Sequence, residues 1–363
     1  MKSLGASALR DTLSSRTHSR DFSYARAAYL RGRVVVVGLI FLALSPFWAL
    51  VDALLLPEET ARTAMVGRMI MVAGLAATVA VAWRSLGKVG QARASAGLLI
   101  GLPAAFYALV LAALPSDWRG DLVGYSFIPY MLTVMLCIFP FTLLESAIAG
   151  MALLVLQAYA VHVGGEWLTA VGLQNLWLLA ALLFITLAAN YFHLGLLLRL
   201  YREATHDPLT GLLNRGALIQ SLAQVRSAAQ APAMSLLMMD LDHFKHINDD
   251  YGHSVGDKVL QRFAQLVRES VGPGDFAARY GGEEFVAVLT STGKEQAIAL
   301  AERLRARVEA TPITDHEGNT FHVTVSIGVA TLYPDESFDT AARRADDRLY
   351  EAKKVARNCV VGM

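Results

Sequence analysis

Six long apolar stretches dominate the N-terminal part of the chain, roughly Val34–Leu56, Ala64–Trp83, Ala94–Pro115, Val123–Leu144, Ser146–Val163 and Asn175–Leu198. Each comes close to or exceeds the roughly 20 residues with which a helix crosses a hydrocarbon core about 30 Å thick. One such run can be a buried core helix. Six in succession, nearly free of charge, predict a membrane bundle of six helices whose backbone satisfies its own hydrogen bonds. Residues 1–33 ahead of the first stretch are largely polar and five further stretches follow it, so it is not a cleavable signal peptide. Over 363 residues, 55% are apolar and 17% charged, which excludes disorder as the dominant state.

Orientation follows from the basic residues. Arg10, Arg16, Arg20, Arg26, Arg31 and Arg33 precede the first stretch, Arg84, Lys88 and Arg93 lie in the second connection, and Arg199 and Arg202 follow the sixth stretch. The alternate connections are poorer, with Glu58, Glu59 and Arg62, then Asp117, Arg119 and Asp121, then Glu166. The positive-inside rule therefore predicts that both termini are cytoplasmic. Trp48, Trp83, Trp118 and Trp167 lie near the ends of stretches, as an aromatic belt requires. Arg68 is expected to snorkel toward the interface, and His162 and His193 to hydrogen-bond to neighbouring helices. Ligand sensing, haem binding or proton relay is the functional alternative for these three residues. Pro46, Pro103, Pro129 and Pro140 would break helices around a transport site. No internal repeat and no dense set of buried charges accompanies them, so a sensor is the better reading, with its signal illegible.

The chain changes character near residue 205. Up to residue 204 the net charge is +5 and beyond it −4, which argues against a nucleic-acid binder. The sixth helix is expected to run on through Arg199 to Thr205 as a short, stiff connection able to transmit rotation or piston motion, until Pro208 stops it. The expected segments are 1–33, a cytoplasmic N-terminus; 34–198, the membrane domain; 199–205, the helical linker; and 206–360, a second domain. Within it the periodicity changes from an apolar run at 233–239 to helical spacing over Val255–Ser270. Two short strands follow around a Gly-Gly, then a helix over Lys294–Glu309, β-branched residues over 321–332 and a helix over Thr340–Val355. This βαββαβ order predicts an α+β, ferredoxin-like, palm-type sheet with helices on one face and the first strand buried at its centre. Cys137 and Cys359 are too few and too unlike in setting for a disulfide framework or a zinc site.

Acidic residues gather at two points of this scaffold. The first strand ends in DLDHFKHINDDYGHSVGD (Asp240–Asp257), and the hairpin carries RYGGEEF (Arg279–Phe285). In such a sheet these points are neighbours, so Asp240 and Glu283 can converge although 43 positions apart in sequence. Two carboxylates there suit magnesium, which takes one or two of them together with water and phosphate oxygens. Gly281 and Gly282 would permit positive φ in a tight hairpin and let a phosphate approach the backbone. Either acidic point alone would be an ordinary solvated turn. A calcium loop is excluded, because Phe244 and Lys245 stand where an oxygen ligand and a glycine are needed. His243 and His246 lack a third soft ligand for zinc.

Together with HDPLTGLLNR (206–215), VTVSIGVA (323–330) and ADDRLYEAKKVARN (345–358), these motifs resemble the GGDEF domain of diguanylate cyclases over about residues 204–360. Five ordered motifs make the resemblance specific. It implies an enzyme that joins two GTP molecules into cyclic di-GMP with loss of two pyrophosphates, at a site where two domains face each other as a homodimer. By matching position, Asp240, Glu283 and the carbonyl of Leu241 would hold Mg2+ or Mn2+. Glu283 would also help deprotonate the attacking 3′-hydroxyl, and Glu284 would assist at a second metal. Asn248 and Asp257 would read guanine, the aspartate accepting from N1 and N2 hydrogens that adenine does not offer. Phe244 shares this substrate-binding segment, and Lys245, Lys353 and Arg357 would meet the triphosphate. One departure stands out. Where many members carry Arg-x-x-Asp for product inhibition, this chain reads Gly272-Pro-Gly-Asp275, keeping the acid and losing the arginine. The implied setting is the bacterial inner membrane and its lipid, with an unknown sensory ligand and no phosphodiesterase domain beyond Met363. A degenerate receptor for GTP or cyclic di-GMP would have lost the signature acids, which are intact. A transporter with a regulatory nucleotide domain is the other rival.

Overall fold

Hydropathy becomes a helical bundle in the N-terminal unit of the computed structural model, which describes residues 12–15, 18, 20–85, 88–114, 125–226 and 234–362. Arg10, Arg16, Asp117, Trp118, Arg119 and Asp121 lie outside them. The chain divides into two compact units between Arg199 and Leu200. The first contains α1 (Arg20–Leu55), α2 (Glu58–Arg84), α3 (Val89–Ala113), α4 (Ile128–Met135), α5 (Leu143–Val163) and most of α6 (Ala170–Thr205). All but α4 are long and apolar enough to cross a membrane, five helices among the described residues rather than the six expected.

The exception is physical. The expected fourth span, Val123–Leu144, yields α4 and a single 3₁₀ turn, Leu136–Ile138, a rise of only about 18 Å. Pro140 has no N–H with which to continue the helix. Phe139 is already extended, and Thr142 and Glu145 form a capping box that starts α5. Arg26 Nε donates to the Pro140 carbonyl at 2.7 Å, and Arg26 and Arg93 both pair with Glu145. Asp52, near the other end of α1, accepts from the hydroxyl of Tyr125 just ahead of α4. The short helix plus its extended tail thus still runs from one end of the bundle to the other. Its last carbonyls find donors on α6 and α1: Asn190 Nδ2 reaches the Leu136 carbonyl at 3.2 Å, and Arg33 caps Ile138.

Arg68 does not snorkel. It is buried, with Nε 3.0 Å from Asp52 Oδ2 and Nη2 3.1 Å from the Tyr125 hydroxyl, and its guanidinium lies over the Phe106 ring. The counter-charge on the neighbouring helix is what permits this. His193 meets Arg33 of α1 at 3.0 Å, whereas His162 packs edge-on against Trp167 and bonds to no other helix among the described residues.

The second unit is built on a six-stranded sheet. Its strands are β1 (Leu213–Asn214), β2 (Met234–Leu241), β3 (Phe276–Arg279), β4 (Glu284–Thr290), β7 (Val325–Leu332) and β8 (Val360–Val361), in spatial order β1-β3-β4-β2-β7-β8. A separate two-stranded hairpin joins β5 (Ile313–Thr314) to β6 (Thr320–Phe321). The central four have the ferredoxin-like order, with β2 antiparallel to both β4 and β7. Every residue of β2 is buried, so both faces of the sheet need cover. On one face α8 (Phe244–Tyr251), α9 (His253–Ser270) and α10 (Lys294–Glu309) pack on Leu237, Met239 and Phe285. On the other, α7 (Arg215–Arg226) and α11 (Phe338–Val355) pack on Leu236, Met238 and Val286. Helices on one face alone, as the sequence predicts, would leave that second apolar surface in water. Gly328 of β7 sets how closely α11 lies. A Cβ there would come within 2.0 Å of the Ala345 carbonyl oxygen, so the helix backbone rests on the strand.

Candidate active site

Strand register brings the acidic residues together. Asp240, next to last in β2, pairs with Glu284, the first residue of β4, and Glu283 immediately precedes that strand. Asp240 is buried, and Lys353 on α11 forms an ion pair with it, Nζ to Oδ1 2.6 Å. Burial pushes the Asp240 carboxyl above its ordinary range, Lys353 opposes this, and Asp242 and Asp346 add to the rise. Glu283 is raised too, first by burial, then by the charge of Asp240, with Lys353 opposing and Glu284 adding. The cluster therefore holds more negative charge than its single lysine relieves, and a cation would lower its free energy. Among the described residues no three acidic, histidine or cysteine side chains converge on one point. Such an ion would rest on two carboxylates and the neighbouring Leu241 carbonyl, completed by water and phosphate oxygens. That donor set fits magnesium, which keeps several waters.

The hairpin turn departs from expectation. Neither Gly281 nor Gly282 has positive φ. Gly281 serves another end: a Cβ there would lie 2.4 Å from Glu284 Oε2, so its absence lets that carboxylate fold back over the turn. Gly282 faces open space. Arg279 props the turn from beneath, donating to the Gly282 carbonyl from Nη2 at 2.7 Å and to Asp207 from Nη1 at 3.2 Å. Burial works against the charge on Asp207, but the Thr210 hydroxyl and N–H, together with Arg279, outweigh it and hold the acid below the usual carboxylate range.

A second cluster forms where α8 meets α9. Gly256 has no side chain, and a Cβ there would fall 2.0 Å from Asn248 Oδ1 and 3.3 Å from Phe244 Cζ. Asn248 and Phe244 are thus brought against the turn of helix that carries Asp257. Phe244 is buried, and Asp257 is exposed. Lys245 on α8 and Arg357, in left-handed backbone just past α11 (φ 54°), are exposed and form no ion pair among the described residues. His243 and His246 pack edge to face at 5.5 Å without a third ligand.

Asp275 turns out to be occupied. Its Oδ2 accepts from the Gly272 N–H at 2.8 Å and its Oδ1 from the Thr290 N–H at 2.7 Å, so it ties the turn before β3 to the end of β4.

Two residues were missed in the sequence. In the sequence Arg279 is no more than the first residue of RYGGEEF. Asp242, buried behind Asp240, accepts from Ser326 Oγ at 2.7 Å, Thr324 Oγ1 at 2.8 Å and the Asn358 N–H at 2.9 Å. It fastens the end of β2 to β7 and to the turn holding Arg357. The repeated acid of Asp-Leu-Asp was the available signal.

Residues 204–359 match the family model "Diguanylate cyclase, GGDEF domain". The chain is 42% identical over 159 residues to diguanylate cyclase DgcP of Pseudomonas aeruginosa, a match covering 43% of this chain and 24% of that protein. It is 44% identical over 165 residues to diguanylate cyclase DgcM of Escherichia coli K12, covering 45% of this chain and 39% of that protein. The matches thus span well under half the length of these curated relatives. Among solved structures, the coiled coil and GGDEF domain of DgcB from Caulobacter crescentus in complex with c-di-GMP is 32% identical. That match covers 50% of this chain and 98% of that one, with a TM-score of 0.47.

Proposed function

Because residues 204–359 form a GGDEF domain, we propose that the chain is a membrane-embedded diguanylate cyclase that condenses two GTP into cyclic di-GMP and releases two pyrophosphates. The observation that carries this reading is the buried Asp240 paired with Lys353, with the half-buried Glu283 and Glu284 brought beside it by strand register. Asp240, Glu283 and the Leu241 carbonyl would hold Mg2+ or Mn2+, which when bound neutralises phosphate charge and aids departure of pyrophosphate. The 3′-hydroxyl of the nucleotide on one domain attacks the α-phosphorus of the nucleotide on its partner. The new phosphorus–oxygen bond forms as the bond to pyrophosphate breaks, and Glu283 takes the hydroxyl proton. Lys353, Lys245 and Arg357 meet the phosphates, with Glu284 assisting beside them. One domain holds one GTP, so ring closure needs a second copy of the chain.

Asn248 and Asp257 read the guanine edge, and Gly256 is what lets Asn248 sit there. Gly256→Ala is expected to raise KM for GTP about tenfold while changing kcat less, because overpacking displaces the amide and not the acids. A KM within twofold of wild type in steady-state assays would refute this placement. Asp275 is engaged within its own turn and no arginine stands at position 272. Feedback inhibition at this place is therefore expected to be weak. Inhibition of the purified chain by submicromolar cyclic di-GMP would contradict that.

The N-terminal unit is, on this reading, a sensor crossing the inner membrane six times, the fourth passage being α4 with its extended tail. A cytoplasmic N-terminus and GGDEF domain are supported by the basic residues at the ends of α2, α3 and α6. Incubation of the detergent-solubilised chain with magnesium and GTP, followed by nucleotide chromatography, tests the activity, with ATP as the specificity control. Absence of cyclic di-GMP, or equal consumption of ATP, overturns it.

A further inference from the structure

A cavity of about 320 Å³ lies inside the N-terminal unit, between α1, α2, α3 and α4. Its wall carries the rings of Phe41, Trp48, Phe106 and Phe127, a surface that suits a flat apolar molecule. One donor on that wall lacks an acceptor. Ser45 is buried, and its hydroxyl has no partner among the described residues. Arg68 on the same wall is 5% exposed and commits Nε and Nη2 to Asp52 and Tyr125. An unmet buried donor is unfavourable, and an acceptor supplied by a ligand would relieve it. Asp52 already balances the arginine, so the acceptor is best neutral, because an anion would add an unbalanced charge in a medium of low polarity. On the rim, Leu44 and Phe47 are exposed and apolar, which favours entry from lipid over entry from water.

We propose that this cavity binds a neutral, flat, lipid-soluble molecule that presents a carbonyl oxygen to the Ser45 hydroxyl. The site deepens the sensor reading and rests on it only for the membrane setting. Its test needs no GTP turnover, so the two readings fail separately. The full chain in detergent micelles is titrated with menadione, a two-ring quinone, while tryptophan emission is followed. Trp48 on the cavity wall gives a saturable component above the linear collisional quenching of the other tryptophans, and Trp48→Phe loses it. Ser45→Ala raises the half-saturating concentration about fivefold, the worth of one hydrogen bond. Ser45→Leu fills the cavity and removes saturation. The hydrocarbon 2-methylnaphthalene, which has no carbonyl, displaces menadione at least tenfold less well. Strictly linear quenching of the wild type overturns the site. So does unchanged half-saturation in Ser45→Ala, which decides the matter if the leucine variant fails to fold. Equal competition by the hydrocarbon overturns the assignment of a carbonyl.

Discussion

Glu283→Ala is expected to lower cyclic di-GMP synthesis by about 10³-fold or more, to the floor of a chromatographic assay, with membrane insertion intact. The magnitude follows from the role: losing one of two metal-holding carboxylates removes several kcal/mol of charge stabilisation, and each factor of ten in rate is about 1.4 kcal/mol. Glu283→Gln keeps the shape, loses the charge and is expected to lose activity equally. Stability should move the other way. The carboxyl of Glu283 is raised by burial and by Asp240, so at neutral pH its ionised form is less favourable in the folded chain than in the unfolded one. Removing that charge takes away a destabilising contribution that acts above the ordinary glutamate range and vanishes in acid. In metal-free buffer the thermal midpoint of Glu283→Gln therefore matches or exceeds that of the wild type. Added magnesium raises the wild-type midpoint and leaves the variant unchanged. Turnover within tenfold of wild type, or an equal magnesium response, would sink the assignment.

What the sequence made legible was whatever depends on local order. The unbroken apolar run of β2 announces a strand buried on both faces, and register then carries Asp240 to Glu284 without further information. Five of the six apolar stretches became long helices because hydropathy and length suffice to specify them. The fourth did not, since hydropathy sums the apolar residues around Pro140 and takes no account of the N–H that proline lacks. Pairings across helices were illegible for a different reason. Asp52 and Glu145 each choose arginines on other helices, and only packing decides which ones meet. The sequence calls for Gly281 on grounds of backbone freedom, whereas the structure uses the space where its Cβ would be. On the second face, α11 is legible as a helix but not as to which face it covers, and α7 offers only the short apolar spacing Leu218, Leu222 and Val225, whose role is defined by the sheet surface it covers.

Asp242→Ala is expected to be the most damaging change outside the carboxylate cluster. The side chain is buried and gathers two hydroxyls and one main-chain N–H from residues 82 to 116 positions away in sequence. Alanine leaves those donors unmet, at about 1–3 kcal/mol for each that cannot turn elsewhere. The N–H of Asn358 cannot turn, and its turn also holds Arg357 in left-handed backbone. Freed from Asp242, that turn relaxes, and α11 loses the tether that keeps Lys353 on Asp240. The thermal midpoint is expected to fall by on the order of 10 °C and turnover by about 100-fold. Asp242→Asn separates geometry from charge. Its one oxygen can serve Thr324 and Asn358 while its amide donates to Ser326, whose hydroxyl rotates to accept, so most of the stability and a substantial fraction of the turnover return. An asparagine variant as inactive as the alanine one, with a wild-type midpoint, would show instead that the charge of Asp242 acts directly in the chemistry. An alanine variant that melts and turns over like wild type would show that the turn does not depend on Asp242.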